Sequence, residues 1–269
     1  MEHNTVIQIH VATHKGTKPF NQDCAGYQCG EGRRFLFGDA DASSITVHDT
    51  DEGCLVVVSD GVSSFPHSDI AAETIVKDII SYFPAFHSKN ISLIKESIVN
   101  ADKKATSLAF DHIGSKLATT MSALYLNRRK FVMANVGDSP IYRIRNNKIA
   151  LLSYPDTLYQ KKLSEGIDPN EIDPGDHHIL MQSMGHHRDK SPVHPHVRKD
   201  SIEPDDIYIV MTDWCYNPKW TKDIVLECLQ DPMVANPAEE SIQRIQALLS
   251  SNDYIDNCSL AIIYQKKSS

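Results

Sequence analysis

Apolar and polar positions alternate along residues 6–11, and a further strand signal falls at 33–37. Residues 55–59 form a continuous apolar run that ends in Asp60-Gly61, the mark of a strand covered on both faces. Apolar residues then return at helical spacing. Ala71, Ile75, Ile79, Tyr82 and Phe83 line one face of a helix over 68–83 that stops before Pro84. Ile91, Ile94, Ile98, Ala101, Ala105 and Leu108 advance by threes and fours along a second helix, 91–108. Strand signals follow at 119–126, 130–136 and 140–144, with turns at Asn127-Arg128-Arg129 and Gly137-Asp138, and predict an antiparallel meander.

From 154 to 198 the pattern dissolves into Pro, Gly, Asp and His, which predicts a long functional loop or partly helical flap. A strand at 207–211 precedes a helix opened by Asn236-Pro237-Ala238-Glu239, and a strand at 259–264 closes the chain. Asn at the cap with Pro in the first turn is a strong helix start. No repeat, low-complexity tract or Gly/Ser linker divides the sequence, so a single domain over residues 1–269 with an insertion at about 154–198 is expected.

Composition narrows the class. The 269 residues are 41% hydrophobic and 23% charged, which suits a folded globular chain and excludes disorder as the main state. A formal charge of −8 without a basic stripe disfavours nucleic acid as partner. No apolar run nears the roughly 18–20 residues of a membrane span, and the Met1-Glu2-His3-Asn4-Thr5 start lacks the features of a secretory signal. The expectation is a cytoplasmic protein with no membrane contact. Six cysteines without a CxxC pair read as reduced core thiols, with Cys24 and Cys215 packing beside acidic positions.

The acids carry the chemistry. Asp60 directly follows the 55–59 run, Asp213 follows Ile209-Val210-Met211-Thr212, and Asp256 just precedes Ser259-Leu260-Ala261-Ile262. Asp23 stands near the start of an early strand. Singly, each reads as an ordinary turn residue. If the strands share one or two packed sheets, four carboxylates converge at one edge, where mutual repulsion is relieved by a hard divalent cation such as Mg²⁺ or Mn²⁺.

The ordered set Asn21-Gln22-Asp23, Val58-Ser59-Asp60-Gly61-Val62, Ala118-Thr119-Thr120, Ala134-Asn135-Val136-Gly137-Asp138-Ser139, Met211-Thr212-Asp213 and Asp256-Asn257 resembles the metal-dependent protein phosphatase 2C family, also called PPM-type serine/threonine phosphatases. The Asp60-Gly61-Val62-Ser63-Ser64 variant is closer to divergent bacterial members. The resemblance implies an α+β fold: a four-layer α/β/β/α sandwich of two packed antiparallel sheets flanked by helices. It implies a binuclear Mn²⁺ or Mg²⁺ centre in which Asp60 bridges both ions, Gly61 lends its carbonyl, Asp23 binds through water, and Asp213 and Asp256 complete one site. Asp138 matches the aspartate near a third, weaker ion. The implied reaction is one-step hydrolysis of phosphoserine or phosphothreonine by an activated water, with no side-chain nucleophile. Phosphoproteins, with a cognate serine/threonine kinase opposing the reaction, are the implied partners.

Three positions depart from that pattern. Lys18 stands where the family commonly has a phosphate-gripping Arg, and brings charge without a two-pronged contact; a solvated surface Lys is the plainer reading. Trp214 replaces a glycine after Asp213, which puts the local backbone in question. Val62 stands where some members have a histidine proposed as general acid, leaving His67 and His14 as candidates for that role or as solvated side chains. Six of the 13 histidines fall between His177 and His196, where a polar flap is favoured over a zinc site. Two other functions stay open: a catalytically silent phosphatase fold used as a binding module, and a phosphohydrolase acting on small molecules.

Overall fold

The computed structural model describes residues 5–48, 51–113, 116–185, 191–215, 220–249 and 255–267. Twelve strands form two antiparallel sheets of six. They are β1 (Thr5–His14), β2 (Cys24–Cys29), β3 (Gly32–Leu36), β4 (Ala40–Val47), β5 (Cys54–Ser59), β6 (Met121–Leu126), β7 (Lys130–Val136), β8 (Ile141–Arg145), β9 (Lys148–Leu151), β10 (His196–Ser201), β11 (Ile207–Met211) and β12 (Cys258–Lys267). The first sheet runs β4-β1-β12-β11-β8-β9, and the second runs β10-β7-β6-β5-β2-β3. Six α-helices accompany them among the described residues: α1 (Ser68–Ser81), α2 (Phe83–Ser88), α3 (Ile91–Ser107), α4 (Leu158–Ser164), α5 (Thr221–Gln230) and α6 (Pro237–Leu249).

Strand pleating explains the layering. In β5, Leu55 and Val57 pack with Ile75, Ile79, Ile94 and Ile98 of α1 and α3. The alternate residues Val56 and Val58 face the other sheet, against Ile9, Tyr208, Val210 and Ala261. In β12, Leu260 and Ile262 meet Val225 of α5 and Ile242 of α6, while Ala261 and Ile263 face inward. Strands buried on both sides must be apolar throughout, so 55–59 shows no alternation. The result is the expected order of helices, sheet, sheet, helices.

Several expectations need correction. The meander ends after β7: β6 and β7 pair in one sheet, but β8 joins the other, paired with β11 and β9. The chain crosses between sheets at residues 137–140, where Gly137 takes a φ of +97° that a side chain rarely tolerates. The 154–198 stretch is more ordered than a loop. It holds α4 and short 3₁₀ turns, and its last residues already belong to β10, where His196 pairs with Asn135 of β7. The first helix does stop before Pro84, at Ser81, but Pro84 then sits in the first turn of a new helix, α2, where no amide donor is needed. The α6 start is as expected, with Asn236 Oδ1 accepting from the Ala238 and Glu239 amides at 3.0 and 3.2 Å.

The cysteines were not all thiols. Cys215 and Cys258 form a disulfide, because adjacent β11 and β12 bring the end of one beside the start of the other, with Cα atoms 5.6 Å apart. Cys24, Cys29, Cys54 and Cys228 are free and buried.

Candidate functional site

The sandwich gathers its acids at one end. Asp23 precedes β2 and Asp60 follows β5, neighbouring strands of one sheet; Asp213 follows β11 and Asp256 precedes β12, neighbouring strands of the other. Asp138 lies on the crossing between sheets. The strand alternation that hides apolar side chains thus leaves the polar residue at each strand mouth beside its counterparts.

Electrostatics records the convergence. Burial, followed by repulsion from Asp213 and Asp256, raises the Asp23 carboxyl to about 7. Asp60 is pushed well above the usual carboxylate range by burial and by Asp23, Asp213, Asp138 and Asp256 together. Burial and Asp213 raise Asp138 to about 7. Asp213 is raised by burial and Asp256, with His178 acting the other way. Both carboxylate oxygens of Asp23 are buried, and the hydroxyls of Thr212 and Ser259 beside them offset only part of the cost of its charge. Such an acid is costly unless a cation or a proton joins it.

Backbone contacts hold the loops that carry these acids close to one another. The Asp60 amide donates to Thr120 Oγ1 at 3.0 Å, and the Asp60 carbonyl accepts from the Thr120 amide and Thr119 Oγ1 at 2.9 and 2.8 Å. Thr120 Oγ1 lies 2.6 Å from Ser139 Oγ, next to Asp138. A Cβ on Gly61 would sit 2.5 Å from the Gln22 carbonyl, so only glycine lets the Asp60 and Asp23 loops approach this closely. Asn21 Oδ1 accepts from the Asp23 amide at 3.1 Å. Asn257 Oδ1 accepts from the Gln22 amide at 2.9 Å, while its Nδ2 donates to the Lys15 and Phe20 carbonyls at 2.8 and 3.2 Å. Asn257→Ala takes its partner from the buried Gln22 amide and cuts two further links to the Lys15 and Phe20 carbonyls, and a loss of about 1–3 kcal/mol in urea-unfolding stability is expected.

The remaining sequence candidates fall as follows. Lys18 Nζ pairs with Asp256 Oδ1 at 3.1 Å and donates to Ser63 Oγ at 3.0 Å. His14 Nδ1 accepts from the Gly16 amide and from Gln246 Nε2, both at 2.9 Å, and so braces the end of β1. His67 is exposed at the start of α1, with a φ of +62°. Trp214 lies in a 3₁₀ turn, Asp213–Cys215, without left-handed backbone, so an indole replaces glycine there at no conformational cost.

A cleft of about 520 Å³ opens beside the acids, lined by Asp138, Asp213, Tyr159, His177 and His178 among others. Tyr159 of α4 stacks on His177 with ring centroids 3.6 Å apart. Lys162 Nζ holds Asp176 Oδ2 at 2.6 Å and ties the 174–178 turn to α4. His196 pairs instead with Asp156, and His186 and His187 lie outside the described residues. Asp156 went unnoticed in the sequence. Its buried carboxylate accepts from the Gly137 amide at 2.9 Å, from Gln182 Nε2 at 2.8 Å, and lies 2.7 Å from His196 Nε2. It thereby fastens the Asp138 turn to the 154–198 stretch, and an Asp after Pro155 carries no sequence signal beyond that of a turn.

Among the described residues, no three His, Cys, Asp or Glu side chains are drawn into ready ligation geometry around one point. The donor set nevertheless fits a hard divalent cation: it is all oxygen, anionic, and includes acids buried beside one another.

Residues 39–167 match the family model for protein phosphatase 2C. The serine/threonine protein phosphatase PstP of Mycobacterium tuberculosis is 26% identical over 129 residues, 47% of this chain. The match spans about a quarter (24%) of the length of that curated relative. Among solved structures, a serine/threonine phosphatase of S. agalactiae superposes with a TM-score of 0.71 at 21% identity, covering 96% of this chain and 99% of its own. The catalytic domain of PstP in complex with two manganese ions gives 0.66 at 19% identity, covering 97% and 99%. Two facing sheets, outer helices and the motif order thus agree: the chain resembles the protein phosphatase 2C family over residues 39–167 and shares the fold of the solved phosphatases along nearly its whole length.

Proposed function

We propose that the chain is a metal-dependent serine/threonine protein phosphatase. The observation that carries this reading is the crowding of buried acids: Asp23 and Asp60 lie within electrostatic reach of Asp138, Asp213 and Asp256, and burial and mutual repulsion raise their carboxyls above the usual range. Asp23, Asp60, Asp213 and Asp256, with the Gly61 carbonyl, would hold two Mn²⁺ or Mg²⁺ ions, and Asp138 a third, weaker one. A bound pair supplies an activated water and positive charge for the phosphate. The chain's own part is to fix those carboxylates, to bring Lys18 toward the phosphate, and to offer the cleft beside Asp138 and Asp213 to the phosphorylated segment. The side chain that protonates the leaving group is assigned to neither His67 nor His14, since His14 is tied into the β1 end and His67 is exposed on the helix start.

In this reading residues 154–198 form a flap on a single domain, and phosphoproteins made by a cognate kinase are the substrates. Among the described residues, no helix is long and apolar enough to cross a membrane. A cytoplasmic site of action belongs to the proposal, and the Cys215–Cys258 disulfide is the feature that sits least easily with a reducing compartment.

The test is hydrolysis of phosphoserine and phosphothreonine peptides, p-nitrophenyl phosphate and small phosphoesters with Mn²⁺, then with excess chelator. Turnover of the peptides that disappears with chelator is expected. Inactivity on every phosphoester makes the chain a binding module, and preference for small phosphoesters makes it a different phosphohydrolase.

A further inference from the structure

Lys18 does not point into solvent. Its side chain is 14% exposed, and its ammonium bridges two segments that carry acids of the site. On one side lies Asp256 Oδ1 at 3.1 Å, and on the other Ser63 Oγ at 3.0 Å, three residues beyond Asp60. The backbone beneath it is stapled in place. Thr17 donates from both its amide and its hydroxyl to the Ile255 carbonyl, at 2.8 and 3.1 Å, and Thr17 Oγ1 accepts from the Ile255 amide at 2.9 Å. The stem of Lys18 is therefore anchored to the segment that bears Asp256, and any change in its ion pair falls to its flexible side chain.

Asp256 is an acid whose charge reaches Asp23, Asp60 and Asp213, since it contributes repulsion to all three. The ammonium lies on Oδ1, which also accepts from the Asn257 amide at 2.7 Å, and it puts a positive charge beside the position an ion would take. A compact ammonium on a four-carbon stem vacates such a position more readily than a forked guanidinium, which would grip the carboxylate with two parallel bonds.

We propose that Lys18 is a tethered counter-ion of Asp256 that competes with the divalent cation for this carboxylate, so that loading the Asp256 position displaces the ammonium. The inference rests on Asp256 being a metal ligand, as proposed above. It assigns Lys18 a role in the metal-free chain that is separate from any contact with substrate.

Calorimetric titration of the metal-free protein with Mn²⁺ tests it, without substrate or turnover. K18M is expected to bind Mn²⁺ about three- to tenfold more tightly than the natural chain, the yield of removing one partly buried ion pair. K15M is the control. It removes the same charge three residues away, from a lysine paired with the exposed Asp39, and is expected to change the affinity less than about twofold. Equal tightening in both variants reduces the effect to net charge and overturns the proposal. Unchanged or weaker binding in K18M overturns it too, and makes Lys18 a strut of the site. If neither the natural chain nor K18M binds Mn²⁺, the metal reading itself fails, an outcome distinct from binding that ignores Lys18. Should K18M not fold, K18Q takes its place with the same thresholds.

Discussion

Asp60→Asn is expected to abolish the proposed Mn²⁺-dependent phosphopeptide hydrolysis, by a factor of about 10³ or more, while the metal-free protein keeps its fold. Asp60 is the acid on which Asp23, Asp138, Asp213 and Asp256 all act. An amide keeps the shape of the side chain but removes the anionic oxygens that hard cations prefer. Stability moves the other way from activity. The Asp60 carboxyl lies well above the usual range, so asparagine imitates its protonated form. The metal-free variant is expected to be at least as stable as the natural chain, with an advantage that grows as pH rises above the usual carboxylate range, where the unfolded chain has released the proton that native Asp60 still holds. Initial rates with a phosphothreonine peptide and thermal melts in chelator read both effects. Activity within tenfold of the natural chain would remove Asp60 from the centre.

Metal-free protein loses stability as pH rises from about 4 to about 7. Asp23 is raised by burial and by its acidic neighbours to about 7, and Asp138 likewise, so the native state holds protons that the unfolded chain has already released. In that window the unfolded state binds fewer protons than the native one, and unfolding gains on folding with every step in pH. Below pH 4 both states are protonated and this penalty is absent. Above pH 7 it is complete, on the order of several kcal/mol, which for a chain of this size lowers the melting temperature by about 5 °C or more. Saturating Mn²⁺ reverses the trend, since the ions take the place of the protons and need the carboxylates ionised. Melting curves from pH 4 to 8 in chelator and in Mn²⁺ decide it. A flat or rising curve in chelator contradicts the crowding of the acids.

The acids were legible because each ends or begins a strand whose apolar run is plain, as with 55–59 before Asp60. The layering was legible for a related reason: strands covered on both sides and helices with one apolar stripe leave few ways to stack. What the sequence hid has physical causes too. β2, Cys-Ala-Gly-Tyr-Gln-Cys, is buried at every position yet mixes small, polar and aromatic residues, so neither alternation nor a clean run marks it. β4 and β9 are edge strands with many exposed positions. The change of sheets after β7 rests on the φ of Gly137, which no periodicity reports. The Cys215–Cys258 bond and the grip of Asp156 on the Gly137 amide depend on partners 43 and 19 residues away. The ion pair of Lys18 with Asp256 joins residues near opposite ends of the chain, and only the closed sandwich makes it.

The acidic rim draws from both sheets, and the ladders of hydrogen bonds run within each sheet, not between them. Like charges at that rim thus push along a seam held by side-chain packing and a few side-chain links, such as Asn257 to the Gln22 amide, as a spring would prise open the mouth of a clam. An ion seated there turns the spring into a clasp. Substitutions that tune its grip would then alter how tightly the two halves of the shell stay shut, so the chemistry of this rim and the endurance of the fold are free to drift only together.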